Sequence, residues 1–146
     1  MFPNGLTMKR KCVIMKKEWL EGIRINTPAK EVSLYYDCAN EAEIKEIFED
    51  ERFKKKLQVI LFYILNGKYD DDLYDFEVVS EKAKGVTAMK FKGGKYDNLR
   101  IICKEYYQND KKIVAVTAVK KKTQKVNKQL KELYERIGGY EYEFKD

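Results

Sequence analysis

The most regular hydrophobic pattern begins at Val86. Thr87, Met89 and Phe91 alternate with Ala88, Lys90 and Lys92. A period of two predicts a strand over 86–92 with both lysines on one face. Gly93-Gly94 opens a turn region that runs to Asn98, and Leu99–Gln108 reads as the next strand. Asn109-Asp110 supplies a tight turn, after which Ile113, Val114, Val116, Thr117 and Val119 form a β-branched run over 113–122. With the turn centred on Asn109-Asp110, Arg100 falls opposite Val119 or Lys120. Arg100 and Lys120–Lys122 then meet at one end of an antiparallel sheet.

Upstream, the period changes twice. Val32, Leu34 and Tyr36 alternate with Ser33 and Tyr35, predicting a strand over 31–37. Asn40 followed by Glu43 resembles a capping box, with Asn in the Ser/Thr position. Ile44, Ile47 and Phe48 make a helical stripe that slips at Glu49-Asp50-Glu51 and resumes with Phe53, Leu57, Ile60, Leu61 and Ile64. The slip predicts two helices within 41–66, the second ended by Asn66-Gly67. Residues 68–85 are acidic and turn-rich, and read as a surface loop. Their Asp70-Asp71-Asp72 run does not have the spacing of an EF-hand. A last helix starts near Asn127, buries Leu130, Leu133 and Ile137, and stops at Gly138-Gly139. Tyr140, Tyr142 and Phe144 then alternate with acids as in a short terminal strand.

Residues 1–30 are read as an N-terminal extension packing on a domain of residues 31–146. Cys12–Met15 suits a short strand, and Trp19, Leu20 and Ile23 a short amphipathic helix. The expected class is α+β: a twisted, mainly antiparallel sheet with two N-terminal helices on one face and a C-terminal helix.

Charge sharpens this picture. The 146-residue chain carries net charge +6, and Lys111–Lys131 holds eight lysines with no acidic residue. A strand that ends in Lys120-Lys121-Lys122 fixes positive charge at one place, which points to a polyanion, foremost RNA phosphate. The simpler alternative is a solvated charged face. It is less favoured here because the run lacks the interspersed acids of such faces.

The chain has no histidine, which removes Ser-His and Cys-His nucleophiles and His-ligated metals. Neither GxGxxG nor GxxxxGK[ST] occurs. Cys12, Cys38 and Cys103 form no zinc or disulfide spacing, so no cofactor or metal is expected and a reducing cytoplasm is the default. Val59–Leu65, the longest apolar run, is too short to span a bilayer, and the N-terminus lacks a secretory h-region. Catalysis would rest on Lys, Arg, Tyr, Glu or Asp.

The order strand, two helices, three strands, helix, together with "NLRI" at Asn98–Ile101 and "KKTQK" at Lys121–Lys125, resembles the RelE/ParE toxin superfamily, in particular its HigB-like branch. The chain departs from the pattern at Val126-Asn127, where members commonly carry Thr-Pro, so Asn127 is expected to cap the last helix. The resemblance implies a toxin of a type II toxin–antitoxin pair: a metal-independent, ribosome-dependent mRNA endonuclease neutralised by a cognate antitoxin. The implied chemistry is attack of a ribose 2′-OH on the adjacent phosphate.

On that resemblance Arg100 stabilises the phosphorane, and Lys121 or Lys122 is the basic residue at the end of the following strand. Lys120, Lys125 and Lys128 contact backbone phosphate, with Lys90 and Lys92 as further RNA contacts. Tyr140 or Tyr142 stacks on a base or donates a proton, against the ordinary alternative that such a tyrosine faces the core. Two other functions fit the same residues: a ParE-like toxin that inhibits gyrase by binding, and a non-catalytic basic RNA-binding module.

Overall fold

A computed structural model of the chain describes residues 9–25, 31–121 and 127–146. Seven strands form one sheet: β1 Arg10–Ile14, β2 Val32–Asp37, β3 Tyr74–Phe76, β4 Val86–Phe91, β5 Leu99–Gln108, β6 Asp110–Lys120 and β7 Tyr142–Lys145. Their spatial order is β3-β4-β5-β6-β2-β1-β7. Pairing is antiparallel except between β2 and β6 and between β1 and β7. The three helices are α1 Glu41–Phe48, α2 Lys54–Leu65 and α3 Lys128–Gly138. The architecture is therefore α+β with a mostly antiparallel sheet.

The sheet is covered on both faces. Ile44, Ile47 and Phe48 of α1 and Leu57, Ile60, Leu61 and Ile64 of α2 pack on Leu34, Met89, Phe91, Ile101 and Ile113. Tyr134 and Ile137 of α3 pack on the opposite face, against Val86, Ala88, Ile102, Val114 and Val116. Two covered faces explain why every residue of β4 is buried, Lys90 included, although its sequence alternates. Arg10–Ile14, read in the sequence as part of an extension, is an interior strand between β2 and β7.

The helix break falls where the apolar stripe slips. Asp50 accepts from the Arg52 amide at 2.8 Å in a 3₁₀ turn, Glu51–Phe53, that leads into α2. Gly67, at φ 69°, follows the end of that helix. Asn127 caps α3, accepting from the Leu130 amide at 2.8 Å.

The expected capping box does not form. A 3₁₀ turn over Cys38–Asn40 enters α1 directly, and the Cys38 carbonyl accepts from the Glu41 amide. Asn40 and Glu43 instead tie α1 to β6. Asn40 Nδ2 donates to the Val116 carbonyl at 2.7 Å, and Glu43 Oε1 accepts from Thr117 Oγ1 at 2.6 Å. Val116 is the residue that the β5–β6 register skips, so a bulge supplies the carbonyl that Asn40 takes.

The stretch 68–85, expected as a plain surface loop, contains the edge strand β3 and places Tyr74 and Glu77 in the interior. Tyr74, wholly buried, anchors it by donating to Glu105 at 2.6 Å.

Candidate functional site

Lys90 of β4 and Arg100 of β5 are direct cross-strand partners. Arg100 shares its face with Ile102, so both cations point toward α3. The segment after β3 delivers Glu77 to the same place, its amide bonded to the Val86 carbonyl at 2.9 Å. Arg100 Nη1 donates to Glu77 Oε1 at 2.7 Å, and Lys90 Nζ lies 3.8 Å from that oxygen. Lys90 Nζ also donates to the Asp71 carbonyl at 2.9 Å. Arg100 is 9 % exposed, Glu77 8 % and Lys90 8 %. Charges at such depth persist only when paired, and one carboxylate here faces two cations.

Two more groups close the cluster. From α3 the Tyr134 hydroxyl enters fully buried, beside Arg100 but with no well-aligned hydrogen bond among the described residues. Burial, and then the Glu77 carboxylate, push its phenol up to about 12 against the opposing pull of Arg100. From just beyond β6 comes half-buried Lys121, its amide bonded to the Asn98 carbonyl at 3.1 Å. Its ammonium is held below the ordinary lysine range, first by burial and then by Arg100, with Lys90 and Lys92 adding to the repulsion and Glu77 opposing it.

Of the sequence-derived candidates, Arg100, Lys90 and Lys121 thus come together. The expected register holds, since Arg100 lies opposite Val119. Lys92 stands exposed beside them, paired with Asp72, whose carboxyl it lowers. Lys120 does not join: it is exposed and reaches Asp97 at 3.8 Å, an acid also met by Arg52 at 3.6 Å. Lys128 is exposed on the first turn of α3. Lys122 and Lys125 lie outside the described residues.

Tyr140 is elsewhere. Its carbonyl accepts from Lys104 Nζ at 3.2 Å and from Tyr106 Oη at 2.7 Å, and the Arg10 guanidinium covers its ring at 4.3 Å. Lys104 and Tyr106 stand further along β5 and Arg10 on β1, so the chain end does not bring a tyrosine to Arg100; α3 does, with Tyr134. Tyr142 is buried against Asp37, to which it donates at 2.5 Å.

Two other buried carboxylates give a useful contrast. Asp37 accepts from Arg10 Nε at 2.7 Å, from Tyr142 and from the Ala39 amide at 2.8 Å. Glu105 accepts from Tyr69, Tyr74 and Tyr107, with Lys111 Nζ 3.5 Å away. Both use all their oxygens on the protein itself. Glu77 differs: among the described residues Oε2 makes no hydrogen bond, and the Tyr134 hydroxyl sits close by. Asp70, Asp71 and Asp72 bring carboxylate oxygens within 4.8 Å of one another, but Lys92 already neutralises Asp72.

Glu77 and Tyr134 were missed in the sequence. Glu77 is a lone acid between Phe76 and Val78-Val79, an apolar setting that marks a buried charge. Tyr134 follows Leu130 at helical spacing and is indistinguishable from core by pattern. No family model, no curated protein and no solved structure matches the chain. Among the described residues, no helix is long and apolar enough to cross a membrane.

Proposed function

We propose that the chain is the toxin of a type II toxin–antitoxin pair, of RelE/ParE kind and HigB-like flavour, acting in the cytoplasm as a ribosome-dependent mRNA endonuclease. The observation that carries the reading is the Arg100–Glu77 ion pair with Lys90 beside it and Lys121 at the same strand end, a mixed cation–carboxylate cluster near the Tyr134 hydroxyl. The order of β2, α1, α2, β4, β5, β6 and α3 supports it, being the order that the sequence resemblance expects.

In this reading the ribose 2′-oxygen attacks the adjacent phosphorus, and Arg100 holds the growing charge of the phosphorane. Its planar fork has five donors, of which Nη1 serves Glu77, leaving others for non-bridging oxygens. Preorganised donors of this kind need no reorganisation as charge develops. Lys92, exposed at the rim, steers RNA toward the cluster. A cognate antitoxin covers the basic end of the sheet or holds the toxin off the ribosome.

The test is expression of the chain alone and with the product of the adjacent gene, reading growth and mRNA integrity. Growth arrest with ribosome-dependent cleavage, relieved by a partner that copurifies, is the expected result. An SOS response without cleavage would mark a gyrase inhibitor instead. Neither arrest nor cleavage would leave a plain binding module.

A further inference from the structure

Within the cluster the chemical roles are not interchangeable. Arg100, Lys90, Lys121 and Lys92 are donors, and Tyr134 is a neutral hydroxyl. Glu77 is the single carboxylate among the residues that meet Arg100 and Lys90 there. Its two oxygens are in different states. Oε1 is anchored on Arg100, while Oε2 makes no hydrogen bond among the described residues. An anchored carboxylate with one open oxygen is placed to accept a proton. Lys90 is tied to the Asp71 carbonyl as well as to Glu77, which fixes it as a positioning charge.

Resting on the endonuclease reading, we propose that Glu77 is the base that takes the 2′-OH proton and Lys121 the acid that protonates the departing 5′-oxygen, with Arg100 holding the phosphate between them. As the 2′-oxygen bonds to phosphorus, its proton passes to Glu77 Oε2. The P–O5′ bond then breaks, and its electron pair takes a proton from Lys121 Nζ. The products are a 2′,3′-cyclic phosphate and a 5′-hydroxyl. Glu77 returns its proton to solvent and Lys121 regains one, so no other reactant enters.

Lys121 suits the acid for two reasons. It lies two residues beyond Val119, the cross-strand partner of Arg100, and is half-buried, so it stands at the same strand end and is reachable where Tyr134 is not. Its ammonium also releases a proton more readily than an ordinary lysine, through burial and crowding by Arg100, Lys90 and Lys92. Tyr134, with its phenol pushed up to about 12, keeps its proton, which it can donate to a phosphate oxygen while its own oxygen can accept from Arg100.

The roles separate on a substrate whose leaving 5′-oxygen is replaced by sulfur, because a thiolate departs without an acid. Ribosomes are programmed with a short synthetic mRNA carrying either atom at the cleaved linkage, and single-turnover rates are read. Lys121→Ala is expected to lose roughly 10²–10³-fold on the oxygen substrate and to approach the wild-type rate on the sulfur one. Glu77→Gln is expected to lose a similar factor on both.

A pH–rate profile of the wild type needs no variant to fold. On oxygen it should be bell-shaped, and on sulfur the alkaline limb should vanish. The groups facing these two residues from the neighbouring elements are Lys90, Lys92, Arg100 and Tyr134. Wild-type cleavage with an unimpaired Glu77→Gln, a Lys121→Ala equally slow on both substrates, or activity that only rises with pH would overturn this assignment alone. A wild type that cleaves neither substrate would overturn the endonuclease reading and the assignment with it.

Discussion

Arg100 and Glu77 stand 23 residues apart in the chain and meet at 2.7 Å in the interior, each about one-tenth exposed. The contact ties β5 to the segment following β3, and Lys90 makes the pair a triad. Removing Glu77 from such a group leaves two buried cations without a counter-charge, whereas removing Arg100 leaves Glu77 with Lys90.

Glu77→Ala should therefore destabilise the fold by about 3–5 kcal/mol, because two buried cations lose their counter-charge. Pairing it with Arg100→Ala should give a double variant less destabilised than the sum of the two single ones. Urea unfolding of the four proteins measures the coupling. Additive losses would mean that the pair is not formed.

A second consequence concerns Gly138. A Cβ there would come within 1.9 Å of the Lys82 carbonyl, so α3 packs on the 3₁₀ turn Glu81–Ala83 through a bare glycine backbone. Gly138→Ala is expected to lose about 1–3 kcal/mol as the helix is pushed away. Gly139→Ala, whose Cβ meets its nearest neighbour at 3.5 Å, should be nearly neutral. Thermal or denaturant midpoints decide between them. Since Tyr134 rides on the same helix, Gly138→Ala should also disturb the site.

That glycine marks a limit of the sequence. Gly138-Gly139 reads as a helix stop, yet Gly139 has φ −92°, outside the left-handed region, and what demands a glycine is a contact made across the fold. The same limit hid Glu77 and Tyr134, whose meeting with Arg100 depends on β3 and α3 docking from 23 residues before and 34 after. Local signals were legible. Alternation gave β4, flanking turn signals β5 and a β-branched run β6, the Asn109-Asp110 turn gave a register with Arg100 opposite Val119 or Lys120, of which Val119 is the partner, and the stripe slip gave two helices. β3 was not legible, because Tyr74–Phe76 is three residues long and sits among aspartates. Asn40 and Glu43 misled for a related reason: a residue pair suited to capping can equally serve a bulged strand.

The titration of Lys121 tests the electrostatics without any activity assay. Its side-chain resonance should titrate below the ordinary lysine value. Lys92→Gln, which removes a repelling cation, should raise it; Glu77→Gln, which removes an attracting carboxylate, should lower it further. The sign for stability follows. The folded chain binds this proton less tightly than the unfolded one, so Lys121's contribution becomes more favourable as pH rises from its folded pKa toward about 10.4. An unshifted Lys121, indifferent to both variants, would place it outside the cluster.

The most direct measurement is cleavage of mRNA on translating ribosomes by the wild type and by Arg100→Ala, with folding of the variant verified by circular dichroism and Arg100→Lys run beside it. Cleavage by the wild type is expected, with a loss of roughly 10²–10³ in rate for Arg100→Ala. Arg100→Lys should recover only part of that loss, because a point charge lacks the planar fork. Wild-type cleavage undiminished in Arg100→Ala, or no cleavage by the wild type at all, would contradict that expectation.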